Sequence, residues 1–314
     1  MYDIIIIGCG IIGASIAYKL SKFNLKVLVL ERENDVAMGT TKANSAIVHA
    51  GYDPEPETMM AKLNLEGSKQ MEKLCQSLDV LYRRIGSMVL AFDEQEMKTL
   101  HVLYEKGVKN GVPDMRILSG DEARKLEPAL SEDVCGALLA PSAAIVDPWG
   151  LCIAQAEAAV KNGVRLQRNC CVSGLVQQDG SLKVHTDCGD FEGRFVINCA
   201  GTAGHEISGM LGEPEWEARP VRGEYYLLDK ECGSLVDHVI FQCPSKKGKG
   251  VLIAPTVHGN LIVGPTADRI TDAEDKATTS KGLEQVAKDS RKSIPSINLG
   301  MSIRNFCGVR AVTS

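Results

Sequence analysis

Eleven cysteines contain no C-x-x-C pair, aromatic residues make up only 5% of the chain, and no run of like charge reaches five residues. Each absence closes a class of function. Without C-x-x-C spacing there is no zinc ribbon or thioredoxin-type motif, and the adjacent Cys170 and Cys171 suit neither an ordinary disulfide nor a zinc knuckle. The cysteines are read as reduced thiols of a cytoplasmic protein, and no metal site is expected. With 35 basic against 40 acidic residues the net charge is −5, so the basic footprint of a nucleic-acid binder is missing, as is an aromatic platform for single strands. The longest apolar stretch, Ile4 to Tyr18, is broken by Gly8, Gly10 and Gly13 and falls short of the ~20 residues that span a bilayer. It follows Asp3 with no basic residue before it and no small-residue cleavage site at Lys19 to Lys22, which argues against a secretory signal and for a chain starting at Met1. Residence in the cytoplasm is expected, with contact at a membrane surface left open.

The 314 residues suffice for about two domains of ~150. The strongest local signal is at the start. Tyr2 to Ile7 is a β-branched run of the kind found in a buried parallel strand, and Gly8-Cys-Gly10-Ile-Ile-Gly13 follows at once. A helical segment, Ala14 to Lys22, leads to a second buried run, Val27 to Leu30, which ends at Glu31. This is a βαβ unit with a dinucleotide fingerprint. Gly8 serves the tight turn, Gly10 lets the backbone approach a pyrophosphate, and Gly13 permits close helix-to-strand packing, with the N–H groups of the helix start facing the phosphates. Glu31 is placed to accept from both ribose hydroxyls and would repel a 2′-phosphate, so NADP is disfavoured. A buried strand-turn-helix without ligand is the plainer alternative.

Further along, Met59 to Leu78 has the period of an amphipathic helix, and Val80 to Phe92 reads as a strand pair turning near Gly86-Ser87. Leu151 to Lys161 is a second helix behind Asp147-Pro148, a cap followed by proline at the first turn. Short strands follow at Gly163 to Leu166, Val172 to Gln177 and Leu182 to Thr186. Phe195 to Gly201 then repeats the logic of the first strand, with a helix at Gly204 to Leu211. Between about 215 and 265 the pattern turns to antiparallel alternation, in Gly223 to Leu228, Gly250 to Ala254 and Asn260 to Gly264. Segments of a nucleotide-binding half are thus interleaved with those of a second, sheet-based half.

Three stretches narrow the dinucleotide: Gly39-Thr-Thr-Lys-Ala-Asn-Ser-Ala-Ile-Val-His-Ala-Gly51, Ala144-Ile-Val-Asp-Pro-Trp-Gly-Leu151 and Val196-Ile-Asn-Cys-Ala-Gly201. Their order resembles that of FAD-dependent oxidoreductases of the D-amino-acid oxidase superfamily, in the branch holding L-2-hydroxyglutarate oxidase and the flavoprotein subunit of anaerobic glycerol-3-phosphate dehydrogenase. Arg219 to Tyr226, Pro255 to Asn260 and Gly264 to Ala267 are similar to the same branch. The resemblance covers nearly the whole chain. It implies an α/β (mixed α+β) fold: a glutathione-reductase-like Rossmann FAD-binding domain in residues 1–80 and 145–215, interleaved with an antiparallel-sheet substrate domain in 81–144 and 216–314. It further implies that Gly8, Gly10, Ile11, Ile12 and Gly13 meet the pyrophosphate and Glu31 the ribose, with Arg32 beside the adenine edge. Thr40 and Thr41 would reach the phosphates, and Asn44, Ser45 and Val48 would line the ribityl and isoalloxazine. Val172 would touch adenine through its backbone, while Ala200 and Gly201 close over the cofactor. In the family the segment matched by Gly308-Val-Arg310 is followed by a glycine-rich stretch that returns to the FAD domain, and in the anaerobic branch an iron–sulfur domain can follow. A chain ending at Ser314 is therefore expected to be a fragment.

Flavin chemistry leaves the protein to supply an anion anchor, a base and a dry pocket. His49 is the leading base, because it lies in the loop expected beside the isoalloxazine and imidazole can accept an alcohol proton near neutral pH. Arg310 is the leading anchor, since a guanidinium holds carboxylate or phosphate in a bidentate fork. Tyr225 and Tyr226 alternate on one strand, so only one can face the pocket; Tyr226 is taken as the third catalytic candidate. Arg222 and His258 are weaker candidates, each more often structural. The expected reaction is oxidation of the CH–OH of a small anionic substrate, sn-glycerol 3-phosphate first and L-2-hydroxyglutarate second, with electrons passing to a quinone, a partner redox subunit or oxygen. An amine substrate, and a non-catalytic or NAD-binding module, complete the alternatives.

Overall fold

The computed structural model describes residues 1–244 and 250–313. Strand β1 (Tyr2–Ile7), helix α1 (Ile11–Leu20) and strand β2 (Val27–Leu30) form the opening βαβ unit, with Ile7 directly opposite Leu30 in parallel pairing. A short β3 (Ile47–Val48) precedes α2 (Met59–Ser77), β4 (Tyr82–Arg84), β5 (Ser87–Ala91) and α3 (Glu94–Asn110). Then come β6 (Arg116–Ser119), α4 (Gly120–Leu126), β7 (Gly136–Ala140), β8 (Ala144–Val146) and α5 (Pro148–Lys161). Asp147 caps α5 by accepting from the N–H groups of Trp149 and Gly150 at 3.0 and 2.9 Å, which leaves the first turn free to take Pro148.

Strands β9 (Arg165–Gln167), β10 (Val172–Gln178), β11 (Ser181–Thr186) and β12 (Gly189–Asn198) complete a six-stranded sheet in the order β10-β11-β12-β1-β2-β9. Its parallel centre is apolar on both faces. Ile6, Val27 and Val29 pack under α1 and α5 on one side, while Ile5, Ile7, Leu28 and Leu30 meet β10, β11 and α6 (Gly204–Gly209) on the other. Burying each such side chain contributes about 1.5–3 kcal/mol, which is why a continuous β-branched run is needed here. The carboxyl ends of β1, β2 and β12 lie together at the edge from which α1 departs, with Ile7 opposite Asn198.

The second sheet contains β13 (Val221–Leu228), β14 (Val239–Gln242), β15 (Leu252–Pro255), β16 (Leu261–Gly264) and β17 (Asp268–Arg269), joined by β5, β7 and β6 in the order β17-β13-β16-β15-β14-β5-β7-β6. Helix α7 (Ser280–Ser293) leads to β18 (Ser302–Arg310), which runs antiparallel along the length of β13. Buried Glu224 of β13 accepts from the N–H and hydroxyl of Thr279, the residue that caps α7.

Two sequence expectations are corrected. The strands on either side of Gly86 do not pair with each other: β4 joins β3 and β8 in a separate three-stranded sheet, while β5 enters the large sheet between β14 and β7. The reason is burial. Every residue of β5 is buried, which demands neighbours on both edges, whereas Tyr82-Arg-Arg84 is half exposed and suits an edge. The cysteines are not all free either: Cys170 and Cys188 form a disulfide with Cα atoms 5.5 Å apart. Val172 pairs with Thr186 in the antiparallel β10–β11 ladder, and continuing that register by two residues brings Cys170 opposite Cys188. Among the described residues no helix is long and apolar enough to cross a membrane.

Candidate active site

At the carboxyl edge of the first sheet lies a cleft of about 580 Å³. Gly8, Gly10, Ile11 and Ile12 form its floor, beside Glu31 and Arg32. Thr40, Thr41 and Asn44 line a second wall, and Val172, Ala200 and Gly201 a third. Gly13 sits beneath, where a Cβ would stand 2.0 Å from the Gly8 carbonyl oxygen, so no other residue fits between helix and strand. Glu31 is 8% exposed and holds its place by accepting from the Cys9 N–H at 2.6 Å and the Glu33 N–H at 3.0 Å, one on each oxygen. A carboxylate has about four acceptor sites, so each oxygen keeps one for a ribose hydroxyl. A glycine cradle, a helix start rich in N–H groups and a buried acceptor with capacity to spare fit the adenosine diphosphate half of FAD.

The loop from Gly39 to Gly51 is tied down by its own polar groups. Ile11 N–H donates to Thr41 Oγ1 at 3.0 Å. Asn44 donates to the Thr41 carbonyl and accepts from Ala46 N–H, so its amide shapes the loop. Thr40 also lines the cleft, and its hydroxyl donates to the Val309 carbonyl at 2.6 Å. That bond docks β18 onto the loop. Gly308 makes the approach possible, since a Cβ there would be 1.9 Å from the Ala43 carbonyl oxygen.

Arg310, at the end of β18, lines the cleft and donates to the Thr266 carbonyl at 3.2 Å. Ser45, Val48 and His49 lie outside the lining of that cleft: Val48 is buried against Cys75, Ala144 and Val146, and the His49 ring stacks on Phe241 with centroids 5.8 Å apart. Tyr226 lies apart from that cleft. Strand alternation turns it to the opposite face, against the cluster around Met88 and Leu90, while Tyr225 faces Ser45 and Arg310 and stacks on Phe306 at 4.8 Å. Burial pushes the Tyr225 phenol up to about 12 despite the opposing pull of Arg310 and of its hydrogen bond with Ser45, so at neutral pH it is a protonated donor. Arg222 is paired with Asp275 at 2.8 Å and with Glu224, and His258 Nε2 lies 3.4 Å from Asp147.

One feature of the cleft has no counterpart in the sequence reading. Arg32 reaches Glu274 at 2.7 Å, and Glu274 also binds Lys276 at 2.6 Å, in the loop between β17 and α7. These hydrogen bonds, Lys276 first, hold the Glu274 carboxyl down at about 2.

Residues 3–314 match the protein family described as DAO, FAD dependent oxidoreductase. Glycerol 3-phosphate dehydrogenase of Caloramator mitchellensis is 48% identical over 313 residues, 100% of this chain and 65% of that protein. L-2-hydroxyglutarate dehydrogenase of Escherichia coli (strain K12) is 32% identical over 273 residues, 85% of this chain and 64% of that protein. The chain thus spans just under two thirds of the length of these two relatives. The solved structure of dithionite reduced L-alpha-glycerophosphate oxidase from Mycoplasma pneumoniae with FAD bound superposes with a TM-score of 0.94 at 29% identity, covering 100% of this chain and 84% of that one. These matches, along nearly the whole chain, establish that it belongs to the DAO family of FAD dependent oxidoreductases.

Proposed function

We propose that this chain, with FAD in the cleft, oxidises the CH–OH of sn-glycerol 3-phosphate. The observation that carries the reading is the 48% identity, along the whole chain, to a protein named glycerol 3-phosphate dehydrogenase. When bound, FAD supplies a hydride acceptor at its N5 atom. The Arg310 guanidinium holds the substrate phosphate with its bidentate fork and so fixes the distance from phosphate to reacting carbon. His49 accepts the hydroxyl proton on a ring nitrogen, while Phe241 supports the imidazole by stacking and keeps water from its face. The Tyr225 hydroxyl, protonated and anchored by Ser45, is a donor for a substrate oxygen. The acceptor that would reoxidise FAD, whether a quinone, a partner redox subunit or oxygen, does not alter these residue roles.

L-2-hydroxyglutarate is the second reading, supported by the 32% identity to the Escherichia coli dehydrogenase. The two substrates differ in their anchors: a phosphate calls for clustered cations, a dicarboxylate for two separated ones. Anaerobic titration of the purified flavoprotein with sn-glycerol 3-phosphate, L-2-hydroxyglutarate and glycine decides between them. Loss of visible flavin absorption at the lowest concentration of glycerol 3-phosphate is the expected result. Preferential bleaching by L-2-hydroxyglutarate transfers the assignment, and bleaching by glycine alone overturns both.

A further inference from the structure

The loop between β17 and α7 belongs to the second sheet's half of the chain, yet it reaches the cofactor cleft, where Lys276 is a lining residue. Beside the cleft is a small pocket of about 30 Å³ that shares Arg32, Gly39, Thr40, Thr202 and Lys276 with it. Arg32, Lys42 and Lys276 are the charged residues lining that pocket, and no carboxylate lines it among the described residues. Arg32 is paired with Glu33 and Glu274, and Lys276 with Glu274, so three cations against two carboxylates leave a net positive charge beside the cleft, which favours an anion there. Glu274 binds both Arg32 and Lys276, so it ties the loop to the cleft at Arg32 and holds the ammonium there without lining the pocket itself. An ammonium carries three donors, and Glu274 takes one.

We propose that Lys276 is a ligand of the cofactor's diphosphate, delivered from the second half of the chain and positioned by Glu274. The inference deepens the assignment of FAD to the cleft and rests on it. FAD is then gripped from two sides: by backbone N–H groups at the start of α1, and by a cation that arrives only when the two halves are packed together.

The test compares ligands with and without the diphosphate, binding FAD, ADP and adenosine to deflavinated protein by calorimetry. The Lys276→Gln protein should bind FAD and ADP about fivefold more weakly than wild type, the scale of a partly exposed ion pair, and adenosine within twofold of wild type. Lys276→Arg should recover most of the ADP affinity. Unchanged ADP affinity in Lys276→Gln would reduce Lys276 to a surface ion pair with Glu274 and overturn the inference while leaving the cofactor assignment intact. Equal losses for ADP and adenosine would also overturn it, by assigning the effect to loop collapse. A wild-type protein that binds neither FAD nor ADP overturns the cofactor assignment and this inference together.

Discussion

At the scale of single residues, the site is built from polar groups whose bonding capacity is divided between protein and ligand. Glu31, which lines the cleft, uses about half of its acceptor sites on two backbone N–H groups, which holds its carboxylate in place. Thr40 and Thr41 are adjacent and chemically identical, yet one hydroxyl is a donor to β18 and the other an acceptor from α1. Glu274 illustrates how such divisions become pH-dependent. Its carboxyl is held at about 2 in place of the usual 4.5, so the ion pairs add stability that is complete above pH 4.5 and is lost as the pH falls towards 2. The side chain is 54% exposed, so the contribution is at most about 1 kcal/mol. Glu274→Gln should therefore melt slightly below wild type at neutral pH, and the gap should close between pH 4.5 and pH 2. A gap that persists undiminished at pH 2 would show that the carboxylate charge is not its source. The sequence pointed to Glu31 because an acid at the end of the second strand of a βαβ unit has a local geometric meaning. It was silent on Glu274 and Lys276, whose meaning comes from Arg32, 242 residues away from Glu274.

At the scale of elements, the contact that matters most is β18 on the Gly39 to Gly51 loop. One strand carries Arg310 and presses Gly308 against Ala43, so the proposed anchor and the loop bearing His49 are positioned by the same packing. Gly308→Ala should destabilise the protein by about 3 kcal/mol, because the methyl would overlap a backbone carbonyl that cannot rotate away, and it should weaken substrate binding through displacement of Arg310. Thermal melting with a substrate titration checks this, and a variant as stable as wild type would mean that the strand has room to shift. Elements with a strong local pattern were legible: β1, α1 and β2 from a β-branched run, a glycine signature and a second apolar run, and α5 from its Asp-Pro cap. The pairing of strands was less so. Gly86 between two extended segments reads as a hairpin, and only the complete burial of β5 against the exposed flank of β4 separates them. Tyr225 and Tyr226 are on opposite faces by alternation alone, but which face holds the site depends on what packs against β13. The Cys170–Cys188 bridge follows from the hairpin register once β10 and β11 are aligned, a step that adjacency with Cys171 obscured.

At the scale of the whole molecule, two sheets from interleaved segments are joined by a few long-range clasps: Thr40 to Val309, Arg32 to Glu274, and the small β3-β8-β4 sheet. The interleaving was visible in the sequence as a switch from parallel-type apolar runs to antiparallel alternation. The clasps were not, because single hydrogen bonds between distant loops leave no periodic trace. Arg310 lines the cleft and acts electrostatically on Tyr225, which shares a core cluster with Phe306 and with Phe241, the ring on which His49 stacks. The central claim is that this site oxidises a small phosphorylated alcohol with His49 as base. Anaerobic rapid mixing of sn-glycerol 3-phosphate with wild-type and His49→Asn flavoprotein tests it most directly, because the rate of flavin bleaching isolates substrate oxidation from whatever acceptor follows. The account predicts bleaching slowed by about 10²–10⁴-fold in His49→Asn with FAD content unchanged. Bleaching at the wild-type rate would contradict it and leave His49 as a packing residue against Phe241.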